Sequence, residues 1–181
     1  IIYTDLAQPD LAILNYKQAL RINPNYSEAH NNLGTVLVGL DKLTEAIKHY
    51  EIALKIKPSL IELHLLLADL YKATEKFELA ITSYSKALEL DPGCAEIHYN
   101  LGSVFYSMGQ LESSVASYQR ALNIKPNYVE ASFDLGMVYS KLHQHESAIQ
   151  CFKQVIHHRP DNAEAFTNMG NSFDNLGLQN E

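Results

Sequence analysis

The chain has 181 residues, with 14 lysines and arginines and 21 aspartates and glutamates. The resulting formal net charge of −7 argues against a nucleic-acid binder, because such a protein needs a basic face. Its apolar fraction of 46% and charged fraction of 19% exclude a disordered chain. Since its two cysteines cannot form a disulfide framework and no apolar run reaches the ~18 residues of a membrane span, we expect a cytoplasmic (intracellular) protein without a membrane partner.

The predicted helices follow a 34-residue period. Five of the six prolines recur at this interval: Pro24, Pro58, Pro92, Pro126 and Pro160. With Ser27 counted as phase 1, apolar residues with helical spacing fall at phases 3, 7, 10, 11 and 14, and again at phases 20, 21, 24, 27 and 28. Each repeat therefore predicts two amphipathic helices, helix A over about phases 1–14 and helix B over about phases 18–31, and the phase-32 proline ends helix B.

In chain order, the repeats predict one array with incomplete ends. Residues 1–26 are the last part of one repeat, residues 163–181 are the first part of another, and the complete repeats between them are 27–60, 61–94, 95–128 and 129–162. We expect the native protein to continue at both ends, because natural ends of repeat arrays usually carry a polar capping helix.

The incomplete ends also predict possible end-to-end self-association of this fragment. The last helix would present Phe166, Met169 and Phe173, and the first helix B, residues 11–22, stands behind only a stub of helix A, residues 1–6. Two such apolar faces could cover one another between copies of the chain.

Two further columns predict how the helices pack. Small residues at phases 8, 20 and 27, such as Gly34 and Ala46, allow helices to approach closely, and aromatic residues at phases 11 and 24, such as Tyr71 and Tyr50, are expected to fill the space between repeats. Phase 15 holds Gly109 and Gly177, and in the other repeats Asp41, Glu75 and His143. Because glycine suits the left-handed residue that ends a helix, this column predicts the turn between A and B.

The second repeat reads His30-x2-Leu33-Gly34-x2-Leu37, then Ala46-x3-Tyr50 and Pro58. The pattern resembles the tetratricopeptide repeat family, and the resemblance covers the whole chain. It implies an all-α, right-handed superhelical solenoid of antiparallel helix pairs that serves as a non-catalytic scaffold for protein–protein interaction. The family's tryptophan column departs from the pattern and holds His30, His64, His98, Ser132 and Phe166. We expect these histidines to be partly buried substitutes for the aromatic ring.

No motif in the chain predicts catalysis or a cofactor. A glycine-rich phosphate loop, G-x-S-x-G and H-E-x-x-H are all missing from the sequence. The pairs His143-x-His145 and His157-His158 are the better metal candidates, yet adjacent helical side chains point in different directions and nothing completes a zinc site. Cys94, in a turn, and Cys151, among apolar neighbours, are expected to be structural. The sequence therefore predicts no enzyme, no metal and no cofactor.

The resemblance further implies that helices A line a concave groove for a peptide or partner protein. The candidate binding residues are Glu28, Asn32, Glu62, Leu65, Leu66, Asp69, Lys72, Glu96, Tyr99, Asn100, Tyr106, Glu130, Phe133, Asp134, Met137 and Asn168. Together with Glu164, Asp174 and Lys141, the charged residues of this wall carry a net charge of −6. This is either ordinary family consensus or a selected acidic groove, and the latter predicts a neutral to basic partner.

The middle of this wall is apolar, with Leu65, Leu66, Tyr99, Tyr106, Phe133 and Met137. An apolar patch with a polar rim predicts a docking surface, whereas side chains lying flat against their helices would be ordinary packing. If the patch is a docking surface, replacing Phe133 or Tyr99 by alanine should weaken a partner with little effect on folding, because the core columns lie at other phases.

A second hypothesis is that the array is the substrate-selecting arm of a larger protein O-glycosyltransferase. The stretches at residues 29–34 and 166–171 look like repeats of those enzymes, in which an inner asparagine ladder holds the substrate backbone. Asn32, Asn100 and Asn168 match that ladder, and Leu66 and Asp134 interrupt it. A nucleotide-sugar domain further along the native chain would distinguish the two hypotheses.

Overall fold

A computed structural model describes residues 8–177 of the chain. Within this range the backbone forms ten α-helices and no strand. The helices are α1 (Pro9–Ile22), α2 (Ser27–Gly39), α3 (Leu43–Ile56), α4 (Ile61–Ala73), α5 (Phe77–Leu90), α6 (Ala95–Ser107), α7 (Leu111–Ile124), α8 (Val129–Lys141), α9 (His145–His158) and α10 (Ala163–Asn175). The predicted stub of helix A at residues 1–6 lies outside the described residues.

The helices lie at the phases that the 34-residue period predicts. α2 covers phases 1–13 and α3 covers phases 17–30, and the same phases recur in the following pairs. Each helix B ends before the phase-32 proline because the residue preceding a proline is pushed out of the helical region. Lys57, before Pro58, accordingly has φ −129° and ψ 86°.

The chain forms two compact units, residues 1–91 and residues 92–181. In the first, α2 packs on α3 and α4 on α5, and α1 packs on α2 as a helix B. In the second, α6 packs on α7 and α8 on α9, and α10 packs on α9 as a helix A. The predicted all-α solenoid of helix pairs is confirmed.

Helices A and B approach so closely that three phase-8 glycines have no room for a side chain. A Cβ at Gly34 would stand 2.6 Å from Cε1 of Tyr50, and one at Gly136 would stand 2.7 Å from Cε1 of Phe152. Gly102 meets Tyr118 in the same way, at 2.6 Å. The close approach predicted at the small phase-8 residues is therefore observed, but the phase-24 rings are buried against the glycines of their own repeat rather than between repeats.

The turn between helix A and helix B contains a left-handed residue in all five described repeats. Gly109 and Gly177 have φ of 73° and 72°, and Asp41, Glu75 and His143 have φ of 59°, 57° and 57°. The phase-15 prediction is therefore confirmed, with three non-glycine residues in a conformation that costs an L-amino acid about 1 kcal/mol or more.

The terminal helices expose apolar side chains, although less at the C-terminal side than predicted. Leu14 and Ile22 of α1 are 63% and 79% exposed, and Phe166 of α10 is 48% exposed. Met169, in contrast, is half-buried against a core cluster that includes Phe152, and Phe173 is half-buried with Lys153 Nζ 5.9 Å from its ring centroid. End-to-end self-association stays a prediction, with Phe166 as its main contact on this side.

Candidate peptide-binding site

The residues predicted to line a groove all lie on helices A, and their exposure differs. Glu28, Asn32, Glu62, Leu66, Asp69, Glu96 and Glu130 are exposed, whereas Leu65, Lys72, Tyr99, Asn100, Tyr106, Phe133, Asp134, Met137 and Asn168 are half-buried. The asparagines of the predicted ladder stand on α2, α6 and α10, and their role in holding a substrate backbone stays a prediction.

Two of the acidic groups form ion pairs that the predicted charge count did not include. Lys57 donates a hydrogen bond to Glu28, and Arg159 donates one to Glu130. The first contact lowers the pKa of Glu28, and a backbone hydrogen bond together with Arg159 lowers the pKa of Glu130. These two cations offset part of the predicted −6 of the wall, and an acidic groove stays a prediction.

A pocket of about 290 Å³ opens between α6, α7 and α8. Its lining residues are Ser103, Tyr106, Tyr118, Phe133, Asp134 and Met137. Four of these are predicted site residues, so the fold brings together Tyr106, Phe133, Asp134 and Met137. Ser103 and Tyr118 were not among the predicted site residues. Ser103 shares its phase with Met137 and could have been found from it, whereas Tyr118 belongs to the phase-24 core column and lines the pocket although it is almost fully buried.

Tyr99 does not line this pocket but supports it from the side. Its ring centroid lies 5.7 Å from that of Tyr118 and 5.0 Å from that of Tyr128, and its side chain hydrogen-bonds to Asp134. Because alanine at position 99 would lose these contacts, we expect it to destabilise the fold, in contrast to the prediction from the sequence. Phe133 also has a structural contact, since its ring meets Phe152 edge-on with centroids 5.8 Å apart.

Asp134 gives the pocket a negative field, and a cation already lies at its edge. Burial, followed by the charge of Asp134, raises the pKa of both Tyr99 and Tyr118 well above the usual range of tyrosine. Lys141, in the last turn of α8, places Nζ 4.2 Å from the ring centroid of Tyr106. The pocket thus combines aromatic walls, one carboxylate and a neighbouring ammonium group.

The apolar residues predicted in the first unit have a different setting. Leu66 is 42% exposed on α4, and Leu65 beside it is half-buried. Asp69, on the same helix, accepts a hydrogen bond from the Tyr84 hydroxyl, which fixes the carboxylate against α5. Asp69 therefore has a structural role as well as an exposed surface.

The phase-4 histidines are more buried than predicted and bind a turn. His30, His64 and His98 are 6%, 8% and 9% exposed. Nε2 of His30 lies 3.0 Å from the Pro24 carbonyl oxygen, and Nε2 of His64 lies 2.8 Å from that of Pro58. The ring nitrogen donates to the carbonyl at the end of the preceding helix B, which explains how histidine can replace a large aromatic residue in this column.

His30 also makes a second contact, with His49 of α3. Their Nδ1 atoms are 2.9 Å apart. Nε2–H of His30 donates a hydrogen bond to the Pro24 carbonyl oxygen. Nδ1 of the same neutral ring therefore has no hydrogen and accepts a hydrogen bond from Nδ1–H of His49. The pair therefore accommodates neutral rings best.

Acid should destabilise the protein partly through His49. Burial, then His30 and, more weakly, Lys17 lower the pKa of His49, and Glu45 opposes them. As the pH falls, the His49 side chain of the unfolded chain, with its ordinary pKa of about 6.5, is protonated before that of the folded protein. The stabilisation that neutral His49 gives the folded state is therefore complete above about pH 6.5 and is lost as the pH falls below it. We expect chemical denaturation to show lower unfolding free energy at pH 5 than at pH 7. His49→Ser, which copies Ser83 and Ser117 in the same column, should flatten that slope; an unchanged slope would contradict the assignment.

The chain contains two cysteines and eight histidines, residue types that can bind metals or take part in catalysis. Burial raises the pKa of the Cys151 thiol to about 11, which keeps it protonated and unreactive. In this range no group of three or more histidine, cysteine, aspartate or glutamate side chains is arranged to hold a metal ion. No helix between residues 8 and 177 combines the length and the apolar character that crossing a bilayer requires.

Sequence profiles of known families match most of the chain. A profile described as "TPR repeat" matches residues 2–41, 68–109 and 102–143, and one described as "Tetratricopeptide repeat" matches residues 27–60 and 129–162. The chain belongs to the tetratricopeptide repeat family. No curated protein sequence matches it significantly.

Solved structures of similar fold include MamA and YrrB. A crystal structure of MamA protein is 27% identical, with a TM-score of 0.80 over 84% of each chain. MamA 41-end from Desulfovibrio magneticus RS-1 is 20% identical, with a TM-score of 0.78 over 87% of this chain and 89% of that chain. YrrB, described as "a TPR protein with an unusual peptide-binding site", is 24% identical, with a TM-score of 0.75 over 91% of this chain and 84% of its own. The chain thus shares the helical-repeat fold of these structures.

Proposed function

We propose that the chain is a non-catalytic interaction module that docks a peptide segment of a partner protein on its helices A, with one side chain of that segment in the pocket between α6, α7 and α8. The pocket itself carries this proposal, because half-buried Tyr106, Phe133 and Met137 offer apolar contact area beside the carboxylate of Asp134. YrrB, which shares the fold, is precedent for peptide binding on such a scaffold. We assign no catalytic step to this site.

The charge of the site favours a neutral to basic segment. Asp134 lies in the pocket, and Glu96 is exposed on the neighbouring helix α6. An acidic segment would meet repulsion there, whereas a basic one gains attraction that salt screens beyond about 8–10 Å.

A partner recovered by affinity capture should lose affinity when the pocket is changed. Met137→Ser copies Ser103, which has the same phase in the preceding repeat, and should weaken binding by about 1 kcal/mol or more. Ile52→Ser is the matched control because Ile52 is 37% exposed on a helix B of the other unit. Calorimetric titration at low and high salt measures both effects. Equal affinity of the Met137 variant and wild type would contradict docking at the pocket, and affinity independent of salt would contradict a basic segment.

A further inference from the structure

The pocket between α6, α7 and α8 has the composition of a site for an organic cation. The rings of Tyr106, Tyr118 and Phe133 line it together with the Met137 thioether, and Asp134 is its one charged lining residue. Aromatic faces attract cations through the negative charge of their π-systems, and a carboxylate in the same cavity adds a hydrogen-bond acceptor of opposite charge.

A cation of the chain itself already uses one of these rings. Nζ of Lys141 lies 4.2 Å from the centroid of Tyr106, within the range of a cation–π contact. Lys141 is exposed and stands on the same helix as Phe133, Asp134 and Met137. Its ammonium group is therefore an intramolecular substitute for a ligand cation at the edge of the pocket.

The carboxylate is the charged hydrogen-bond acceptor of the pocket. Asp134 already binds the Tyr99 hydroxyl, and an ionised carboxylate can accept several hydrogen bonds through its two oxygens. A planar guanidinium group can stack on an aromatic ring while it donates to a carboxylate, which a compact ammonium group does less well.

We propose that this pocket selects an arginine side chain of the docked peptide, with the guanidinium group stacked on the aromatic wall, hydrogen-bonded to Asp134 and displacing Lys141 from Tyr106. The proposal rests on the function proposed above, since it names the side chain that enters the same pocket. Lys141 then competes with the arginine side chain for the Tyr106 ring and lowers the affinity of the peptide.

Methionine methyl groups offer a direct test on the full chain. The three methionines, labelled with ¹³C at the methyl carbon, place one probe in the pocket, Met137, and two outside its lining, Met108 and Met169. The ligands are acetyl-Gly-Gly-X-Gly-Gly-amide peptides in which X is arginine, citrulline or glutamate. Citrulline keeps the shape of arginine but has no charge. We expect the arginine peptide to shift the Met137 signal at a concentration about fivefold or more below that of citrulline, with glutamate weakest.

Two substitutions complete the test. Asp134→Asn should remove most of the preference for arginine over citrulline, while Asp174→Asn, which changes the net charge equally on α10, should not. Lys141→Gln should strengthen arginine binding about twofold, because the competing cation is gone. Equal shifts with arginine and citrulline in wild type would overturn the arginine assignment and leave peptide docking intact. No shift of Met137 with any peptide would overturn both proposals.

Discussion

Leucine in place of Gly136 should lower the free energy of unfolding by about 3 kcal/mol. Even a Cβ at this position would stand 2.7 Å from Phe152, whose ring is fully buried, so a larger side chain must push helices α8 and α9 apart. Ala68 at the same phase beside Tyr84 indicates that a single methyl group can be accommodated, which is why leucine is the sharper substitution.

Gly170→Leu is the matched control for this effect. Gly170 has the same phase in α10, and a Cβ there has nothing within 4 Å. The variant should gain about 0.5–1 kcal/mol, because glycine is a poor helix former and leucine a good one. Urea denaturation followed by circular dichroism separates the two results, and equal midpoints for the two variants would contradict the packing argument.

Alanine in place of Tyr99 should lower the unfolding free energy by about 2–3 kcal/mol. The substitution removes a ring that packs between Tyr118 and Tyr128 and leaves Asp134 without its tyrosine partner. Part of any loss in peptide affinity would then follow from this damage to the pocket wall rather than from a lost contact with the ligand.

Tyr106→Ser, in contrast to Tyr99→Ala, should weaken peptide binding more than it lowers stability. Ser140 has the same phase in the next repeat, so serine is compatible with the helix there. We expect this variant to lose more than about 1 kcal/mol of peptide affinity with a smaller loss of stability. Thermal melts and calorimetry on both variants make the comparison. If Tyr99→Ala folds as stably as wild type and alone loses affinity, Tyr99 contacts the ligand and our assignment of the two residues is wrong.

The period determined most of what the sequence could predict. Proline spacing and two apolar sets fixed the helices to within about two residues, because local sterics and burial on one face act within each helix. The glycine–aromatic contacts were also predictable, since Gly34 and Tyr50 fall in fixed columns of neighbouring helices. Four pocket residues were found because the family resemblance implies which phases of helix A face the groove.

The ion pairs were missed because they join residues far apart in the sequence. Lys57 and Glu28 are 29 residues apart, yet the end of helix B returns to the start of its own helix A. The same two phases pair again as Arg159 and Glu130, so the pairing follows the period, but it becomes visible only once these two helix ends are seen to meet. Tyr118, predicted as a core residue, is 2% exposed and also lines the pocket, a second role that its column alone does not predict.

The residues in the left-handed turns affect the stability of the protein but lie outside its proposed binding pocket. Asp41, Glu75 and His143 hold a backbone shape that glycine adopts without strain, and none of them lines the pocket. Single substitutions at these turns can therefore change the free energy of unfolding without changing the residues that line the pocket. Glycine substitutions at these three positions can therefore raise the melting temperature of the protein. They would leave the pocket residues of α6, α7 and α8 unchanged.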